Sequence, residues 1–494
     1  MLSTGYFFAF NLSIIFYEIP FLNTKNIEIR KMIMTEQKLN IEVISIVDFP
    51  QGSPLPYSVL DATHTNAAYP EKNLEIRGGG YGSDAAAHPS NVNQFYVLTD
   101  RGPNADFDGI AGQGKQFLVP NYTPSIGLFE LQADGKIIKV KEILLKDSNG
   151  NPISGLPNPK AFGGTNEVPY NINGQPMTVN PDLPFDEVTN PVKSDINGLD
   201  PEGLAALKDG SFWVSDEYGP HLVHYDADGV EIARINPFAD DERNNVIIDG
   251  KQVLLPAEFT KRRANRGMEA LTIMPDQTTL VGIMESSMDN PDKSGRGSSL
   301  VRIVTINLVS GKIEQYLYRL DAAEHVASGI VAINEHEFYL IEHDRKFPLQ
   351  DKSAKKLIYK VDISQATDIE TIISADNPHI IQQDHTFGLT IDGQTLEQLI
   401  AENEVSWQLL EKLAIKPVKK TLVVDVLATL NYPHDKLEGL WLRQDGSLGL
   451  LNDDDFALTD TEIVDAKSTI EQKYLDKEKT IEDANRLYLV MPTA

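Results

Sequence analysis

The sequence predicts an all-β fold, and three observations carry that prediction. One stretch recurs five times along the 494 residues, at 82–104, 200–220, 266–286, 327–347 and 436–456. Each copy reads as a hairpin of β-favouring residues around a turn. Each copy is followed by further strand-like sequence. A repeated hairpin-plus-strand unit is the pattern of a β-propeller blade, which buries its faces only against its neighbours.

The second copy shows how one unit is built. Glu202-Gly203 opens an apolar run that ends at Leu207. Asp209-Gly210 follows, a dipeptide favoured in tight turns because both residues tolerate positive φ. Phe212-Trp213-Val214 makes the returning strand and stops at Ser215-Asp216-Glu217. Antiparallel pairing brings the two ends of a hairpin side by side, so acids at entry and exit converge on one edge. The entry-to-exit spacing is constant within one residue for Asp84/Asp100, Glu202/Glu217, Glu269/Glu285, Ser328/His343 and Glu438/Asp453.

The strands that follow each hairpin are expected at 126–131 and 137–145, 221–225 and 231–235, 300–308 and 313–320, and 356–363 and 421–427. The fifth unit has only 487–491, and the N-terminal stretch 41–47 is the strand that would complete it and close the ring. Motif counting gives five blades. Six can be accommodated if 146–197 or 364–420 holds a divergent one. The first of these gaps is rich in Pro, Gly and Asn and reads as loop. The second carries Leu396, Leu399, Ile400, Trp407 and Leu410 at helical spacing and is expected as a small helical insertion. The charged stretch 469–486 reads as a helix-compatible, solvated surface segment.

The formal charge is −28, from 44 basic and 72 acidic residues. That field disfavours nucleic acid and anionic membranes and favours cations. With no cysteine in the chain, disulfides, zinc–thiolate sites and cysteine nucleophiles are excluded. Residues 1–38 read as a non-core segment ahead of a propeller domain spanning 39–494. The apolar run 6–22 is interrupted by Asn11, Glu18 and Pro20 and has no basic residue before it. It is either a degenerate export signal or an overextended start, with Met32 or Met34 as the first residue. No stable membrane span is expected, and the chain is expected to be a monomer.

Innermost strands of a propeller face the central channel, so equivalent residues form rings. Asp84, Glu202, Glu269, Ser328 and Glu438 would make one ring, and Asp100, Glu217, Glu285, His343 and Asp453 a second. Crowded carboxylates repel unless something neutralises them, and hard oxygen ligands in number suit Ca²⁺. The candidate metal ligands are Glu202, Glu269, Glu438, Asp100, Glu217, Glu285 and Asp453. The competing structural reading is that strand-end acids only cap turns, as Asp134, Asp209, Asp228 and Asp445 do before Gly. His343 stands where other copies carry acid; it is a candidate acid/base or ligand, or a histidine that only hydrogen-bonds. Arg101 and Arg345 can grip an oxyanion, or simply pair with their acidic neighbours. There is no G-x-S-x-G elbow, Walker A loop or H-E-x-x-H motif.

At these positions the sequence resembles the phytase-like propeller family, also called the esterase-like activity of phytase family. The resemblance rests on Leu98-Thr99-Asp100-Arg101-Gly102-Pro103-Asn104, Asp200-Pro201-Glu202-Gly203, Trp213-Val214-Ser215-Asp216-Glu217-Tyr218-Gly219-Pro220 and Asn265-Arg266-Gly267-Met268-Glu269. Glu342-His343-Asp344, Leu437-Glu438-Gly439-Leu440 and Asn452-Asp453-Asp454-Asp455-Phe456 complete it, so it runs from about residue 40 to the C-terminus. The resemblance implies a propeller, hydrolysis of phosphoesters or esters, and an extracellular or periplasmic location, although the N-terminus carries no convincing signal peptide. No long Lys/Arg-rich lining is visible in the sequence.

Together these readings predict a Ca²⁺-dependent hydrolase of a small anionic ester or phosphoester, working at the acidic mouth of the channel. His343 or a free carboxylate would move the proton, and Arg101 or Arg345 would steady the anion. Two alternatives stay open. One is a lactonase-like propeller with a single Ca²⁺; the other is a non-catalytic ligand-binding propeller with structural Ca²⁺.

Overall fold

The computed structural model describes residues 41–50, 52, 54–59, 75–164, 167–376, 378–464 and 467–492, all within the compact unit Leu39–Ala494. The run 6–22, Met32 and Met34 lie outside the described residues.

The fold is all-β, mostly antiparallel, with few helices, and each sequence copy nucleates one four-stranded sheet. The first sheet orders Tyr81–Ala87, Gln94–Thr99, Ser125–Leu131 and Ile137–Leu144. The second orders Pro201–Ala206, Phe212–Asp216, Leu222–Tyr225 and Glu231–Ile235. The third runs Met268–Ile273, Thr279–Met284, Leu300–Asn307 and Ile313–Arg319. The fourth runs Val326–Ala332, Glu337–His343, Lys356–Asp362 and Lys419–Asp425. In the fifth, Gly439–Leu442, Leu448–Leu451 and Arg486–Pro492 are joined by Ile41–Asp48, with Ile46 opposite Tyr488. The N-terminal strand therefore completes the last sheet, as the missing fourth strand in the sequence required.

The first strands are neighbours in space. Tyr81–Ala87 touches Pro201–Ala206, which touches Met268–Ile273, which touches Val326–Ala332; this last touches Gly439–Leu442, which returns to Tyr81–Ala87. Apolar cores fill the gaps between sheets. Leu98 and Ile126 pack with Val214 and Val223, Ile341 and Ile358 with Leu440 and Leu450, and Val97 and Phe129 with Trp441 and Leu451.

Two local features fix where the entry residues point. The register of the first strand breaks at Glu202 (between Pro201 and Gly203), at Glu269 (between Met268 and Ala270) and at Ser328 (between Ala327 and Gly329). A bulge of this kind takes one side chain out of the regular alternation and re-aims it. The glycines after two of these residues have a packing reason. A Cβ on Gly203 would collide with Ser215 Oγ and the Leu271 backbone, and one on Gly329 with the Glu438 carbonyl. Close approach of adjacent first strands thus requires the Gly that follows Glu202 and Ser328, while Ala270 follows Glu269.

The expected insertion is present as helices Leu396–Glu402, capped by Thr395 and Gln398, and Ser406–Lys412. Leu396, Ile400, Trp407 and Leu410 pack on Leu300 and Leu317 of the third sheet, together with Leu389 and Ile391 from a small sheet in the same insertion. The stretch 469–486 departs from expectation. It opens in strand Lys467–Gln472, paired with Leu458–Val464, and forms no helix among the described residues. Cross-strand pairing and buried ion pairs of Lys473 hold it, where local helix propensity had predicted a solvated segment. A hairpin of Asn104–Gly109 and Gly112–Phe117, not anticipated, follows the second strand of the first sheet. Among the described residues no helix is long and apolar enough to cross a membrane.

Candidate metal centre

The bulged entry residues of two sheets meet the entry residue of a third. Glu202, Glu269 and Glu438 each place a carboxylate oxygen within 4.8 Å of the other two. Exit residues extend the set. Glu217, Glu269 and Glu285 form a second such group, and Asp200, Glu202 and Glu217 a third. Because the groups share members, six buried carboxylates form one connected cage.

The cage is short of positive charge and of hydrogen-bond donors. Among the described residues, Glu269 Oε2, Glu285 Oε2 and Glu438 Oε2 find no donor. Two like charges at this spacing repel by about 3 kcal/mol at an effective dielectric near 20. Burial, and then the neighbouring carboxylates, push Asp200, Glu202, Glu269 and Glu438 well above the usual carboxylate range. In Asp200 the Arg101 guanidinium opposes the rise, and in Glu438 Lys436 does. Burial also raises Glu285, against the pull of Arg266 and Arg345. Such a cage is stable either as protonated acids or around a cation. Six hard oxygen donors, several unsatisfied, fit Ca²⁺ better than Mg²⁺, which keeps much of its water and a strict octahedron.

Cations stand at the rim. Arg101 lies 2.6 Å from Asp200, 3.0 Å from Glu167 and 3.5 Å from Glu217, with its guanidinium over the Tyr218 ring. Arg266 binds Glu285 Oε1, and Arg345 approaches the same oxygen at 3.5 Å. Lys436 lies 3.8 Å from Glu438.

The remaining expected residues are placed elsewhere. Asp100 and Asp453 are outside the three carboxylate groups. Burial and the Asp453 charge push the Asp100 carboxyl up to about 7. Asp453 is held by Lys436 at 2.7 Å. Asp84, on the first predicted ring, accepts the backbone N–H groups of Ala85 and Leu204 at 2.7 Å and those of Leu271 and Leu440. It therefore fastens first strands of four sheets to one another. Ser328 Oγ donates to the Leu437 carbonyl at 2.6 Å.

His343 is fully buried. Its Nδ1 accepts the Arg345 backbone N–H at 3.1 Å, and its Nε2 has no partner among the described residues. Burial, then the charges of Lys356 and Arg345, push it well below its ordinary value. A neutral ring with Nδ1 accepting carries its proton on Nε2, which makes it a hydrogen-bond donor.

Three contributors escaped the sequence reading: Asp200, Arg266 as a partner of Glu285, and Lys436. Asp200 and Lys436 each stand two residues before an entry glutamate, in D-P-E-G and K-L-E-G, so their signal was position relative to that glutamate.

Comparison with known protein families finds one that matches. The family described as phytase-like, esterase-like activity of phytase, matches residues 76–456. An uncharacterized secreted protein of Arthroderma benhamiae is 29% identical over 214 residues, covering 40% of this chain and 38% of that protein. Among solved structures, an engineered GH43 glycoside hydrolase aligns with 8% identity, 75% of this chain, 46% of its own length and a TM-score of 0.31. The chain therefore spans less than half the length of either of these two. A PQQ-bound aldose sugar dehydrogenase from Streptomyces coelicolor aligns with 10% identity, 92% of this chain, 98% of its own and a TM-score of 0.33.

Proposed function

The chain belongs to the phytase-like family described as esterase-like activity of phytase, and from that premise we propose a Ca²⁺-dependent hydrolase of phosphoesters or related esters. We read the five sheets as blades of one closed propeller whose first strands surround the site. The observation that carries the function is the position of Glu269: it belongs to two of the three carboxylate groups, and its Oε2 has no donor.

In this reading Glu202, Glu269, Glu438, Glu217, Glu285 and Asp200 hold the ion. When bound, Ca²⁺ supplies Lewis-acid polarisation of a substrate oxygen. Arg345 and Arg266, sharing Glu285, orient the anionic part of the substrate at the rim. Arg101 is anchored by Asp200, Glu167 and Glu217, so it shapes the cage wall and leaves the grip on substrate to Arg345 and Arg266. His343, a neutral ring, offers its Nε2–H as a hydrogen bond to a substrate oxygen and keeps its proton. Of the other expected ligands, Asp453 takes a supporting place beside Lys436, and Asp100 lies near Asp453. A secreted relative and an ion abundant outside cells favour an extracellular or periplasmic setting.

The experiment is a panel of p-nitrophenyl phosphate, a phosphodiester, a carboxylic ester and a lactone, each with Ca²⁺ and with chelator. Chelator-sensitive turnover of a phosphoester or ester is expected. Turnover of the lactone alone would favour the lactonase reading. No turnover, together with Ca²⁺-dependent stability, would reduce the site to a structural ion.

A further inference from the structure

Next to the cage, a cavity of about 680 Å³ opens between the hairpin Asn104–Gly109/Gly112–Phe117 and the loops around Gly163, Arg262 and Arg296. Five basic residues line it: Lys160, Arg262, Arg263, Lys293 and Arg296. They come from three separated loops, of which the sequence shows only one as basic, the run Lys261-Arg262-Arg263. In a chain of charge −28 this concentration requires a reason.

The local acids do not cancel it. Of the four acids in the lining, Asp106 is bound to Lys115, Glu167 to Arg101, and Asp289 to Arg296 through two bonds of 2.7 Å. Asp108 is the fourth. Lys160, Arg263 and Lys293 form no ion pair among the described residues. Arg262 is buried, and its guanidinium donates to the carbonyls of Tyr218, Gly163 and Arg263, which supply no negative charge. Half-buried Arg263 is destabilised as a cation by burial, then by Arg266 and Arg296. A binding anion relieves that repulsion.

Size and lining narrow the ligand. The volume is that of a pocket for an organic molecule and exceeds what one inorganic ion fills. Phe238, half-buried, gives the wall an apolar face beside the cations. Glu167 lies in this wall and also binds Arg101, which binds Asp200 and Glu217 of the cage. The cavity and the cage therefore share a wall.

We propose that this cavity binds an organic anion, a multiply charged oxyanion on a carbon skeleton, as the part of the substrate remote from the bond being cleaved. The oxyanion is held by Arg263 and Lys293, with Lys160 nearby, and the carbon skeleton lies against Phe238. The assignment to a substrate rests on the hydrolase reading above; the binding itself does not.

The test is calorimetric titration of the full chain, in chelator, with phenylphosphonate, a non-hydrolysable aromatic dianion. Wild type is expected to bind it, more weakly in high salt. Arg263→Ala is expected to weaken binding about tenfold or more, the loss of a charge-assisted hydrogen bond, with Arg263→Lys intermediate. Lys293→Ala should weaken it as well, and Lys136→Ala, on a distant exposed turn, should not. Benzoate, with one charge fewer, should bind less tightly than phenylphosphonate. Thermal unfolding of each variant separates lost binding from lost fold. No binding by chelated wild type, or wild-type affinity in a folded Arg263→Ala, overturns the proposal. Phenylphosphonate binding without turnover of any ester would remove the hydrolase reading and leave the cavity assignment; turnover without binding would do the reverse.

Discussion

The cage at the second and third sheets and the corresponding end of the fifth sheet start from the same hairpin positions and resolve their charge in opposite ways. In the cage, Glu202 and Glu269 have no lysine or arginine within ion-pair distance among the described residues, and burial drives both toward the protonated form. In the fifth sheet, Lys436 holds Asp453 and Asp455 at 2.7 and 2.8 Å, and Lys473 holds Asp435 and Asp455 at 2.9 and 2.6 Å. Burial alone would raise Asp455, but these two lysines hold it below the usual carboxylate range. Against the cost of burial, the same acids keep both lysines firmly charged. The lesson is that an acid at the end of a hairpin does not make a metal ligand. What separates the two ends is how much cation the fold delivers: Glu202 and Glu269 meet only other acids, whereas Asp453 and Asp455 each meet a lysine.

The comparison breaks most visibly at Lys473. Lys473→Ala takes the lysine from Asp435 and Asp483, leaves Asp455 with Lys436 alone, and should cost about 3 kcal/mol, read by urea unfolding. A change under 1 kcal/mol would mean these acids tolerate burial unaided, as those of the cage do when protonated.

Next in size is the ion itself. At about a hundred times its dissociation constant, Ca²⁺ should stabilise wild type by about 2.7 kcal/mol, seen as a rise in Tm. Glu269→Gln should abolish that rise. If the variant gains as much as wild type, the ion binds elsewhere and the contrast between the two regions fails.

pH sharpens the contrast. The cage carboxyls are raised in the folded state, so the chelated fold binds protons that the unfolded chain has already released. Their contribution is present below the ordinary carboxylate range and is lost as pH rises through the raised values, lowering the Tm of the chelated protein. Ca²⁺ must displace those protons, so its affinity should rise over the same window. Parallel Tm curves with and without Ca²⁺ would contradict this.

The smallest effect is expected at the rim. Arg345 is a third exposed and 3.5 Å from Glu285, so Arg345→Ala should change stability by only about 0–1 kcal/mol. Its larger consequence should be a raised KM for anionic substrates.

Much of this was legible in the chain. Each Asp-Gly turn between β-favouring runs marked a hairpin, and Gly210 and Gly446 take the positive φ their turns demand. The pairing of Ile41–Asp48 with Arg486–Pro492 followed from counting strands in the fifth copy. The convergence of Glu202, Glu269 and Glu438 followed from their shared place in the repeat. Less was legible where partners are distant in sequence. Asp84 occupies the same repeat position yet binds backbone amides, because four first strands converge on it. Lys473 lies in a stretch whose charge pattern resembled a surface helix, and only pairing with Leu458–Val464 buries it.

By itself, then, the sequence determined which residues end each hairpin, because turn chemistry and strand alternation act over a few neighbours. Only the tertiary structure decided which of those acids meet a lysine, which meet backbone amides and which meet one another. Electrostatic energy depends on distance in space, and these distances are set by sheets far apart along the chain.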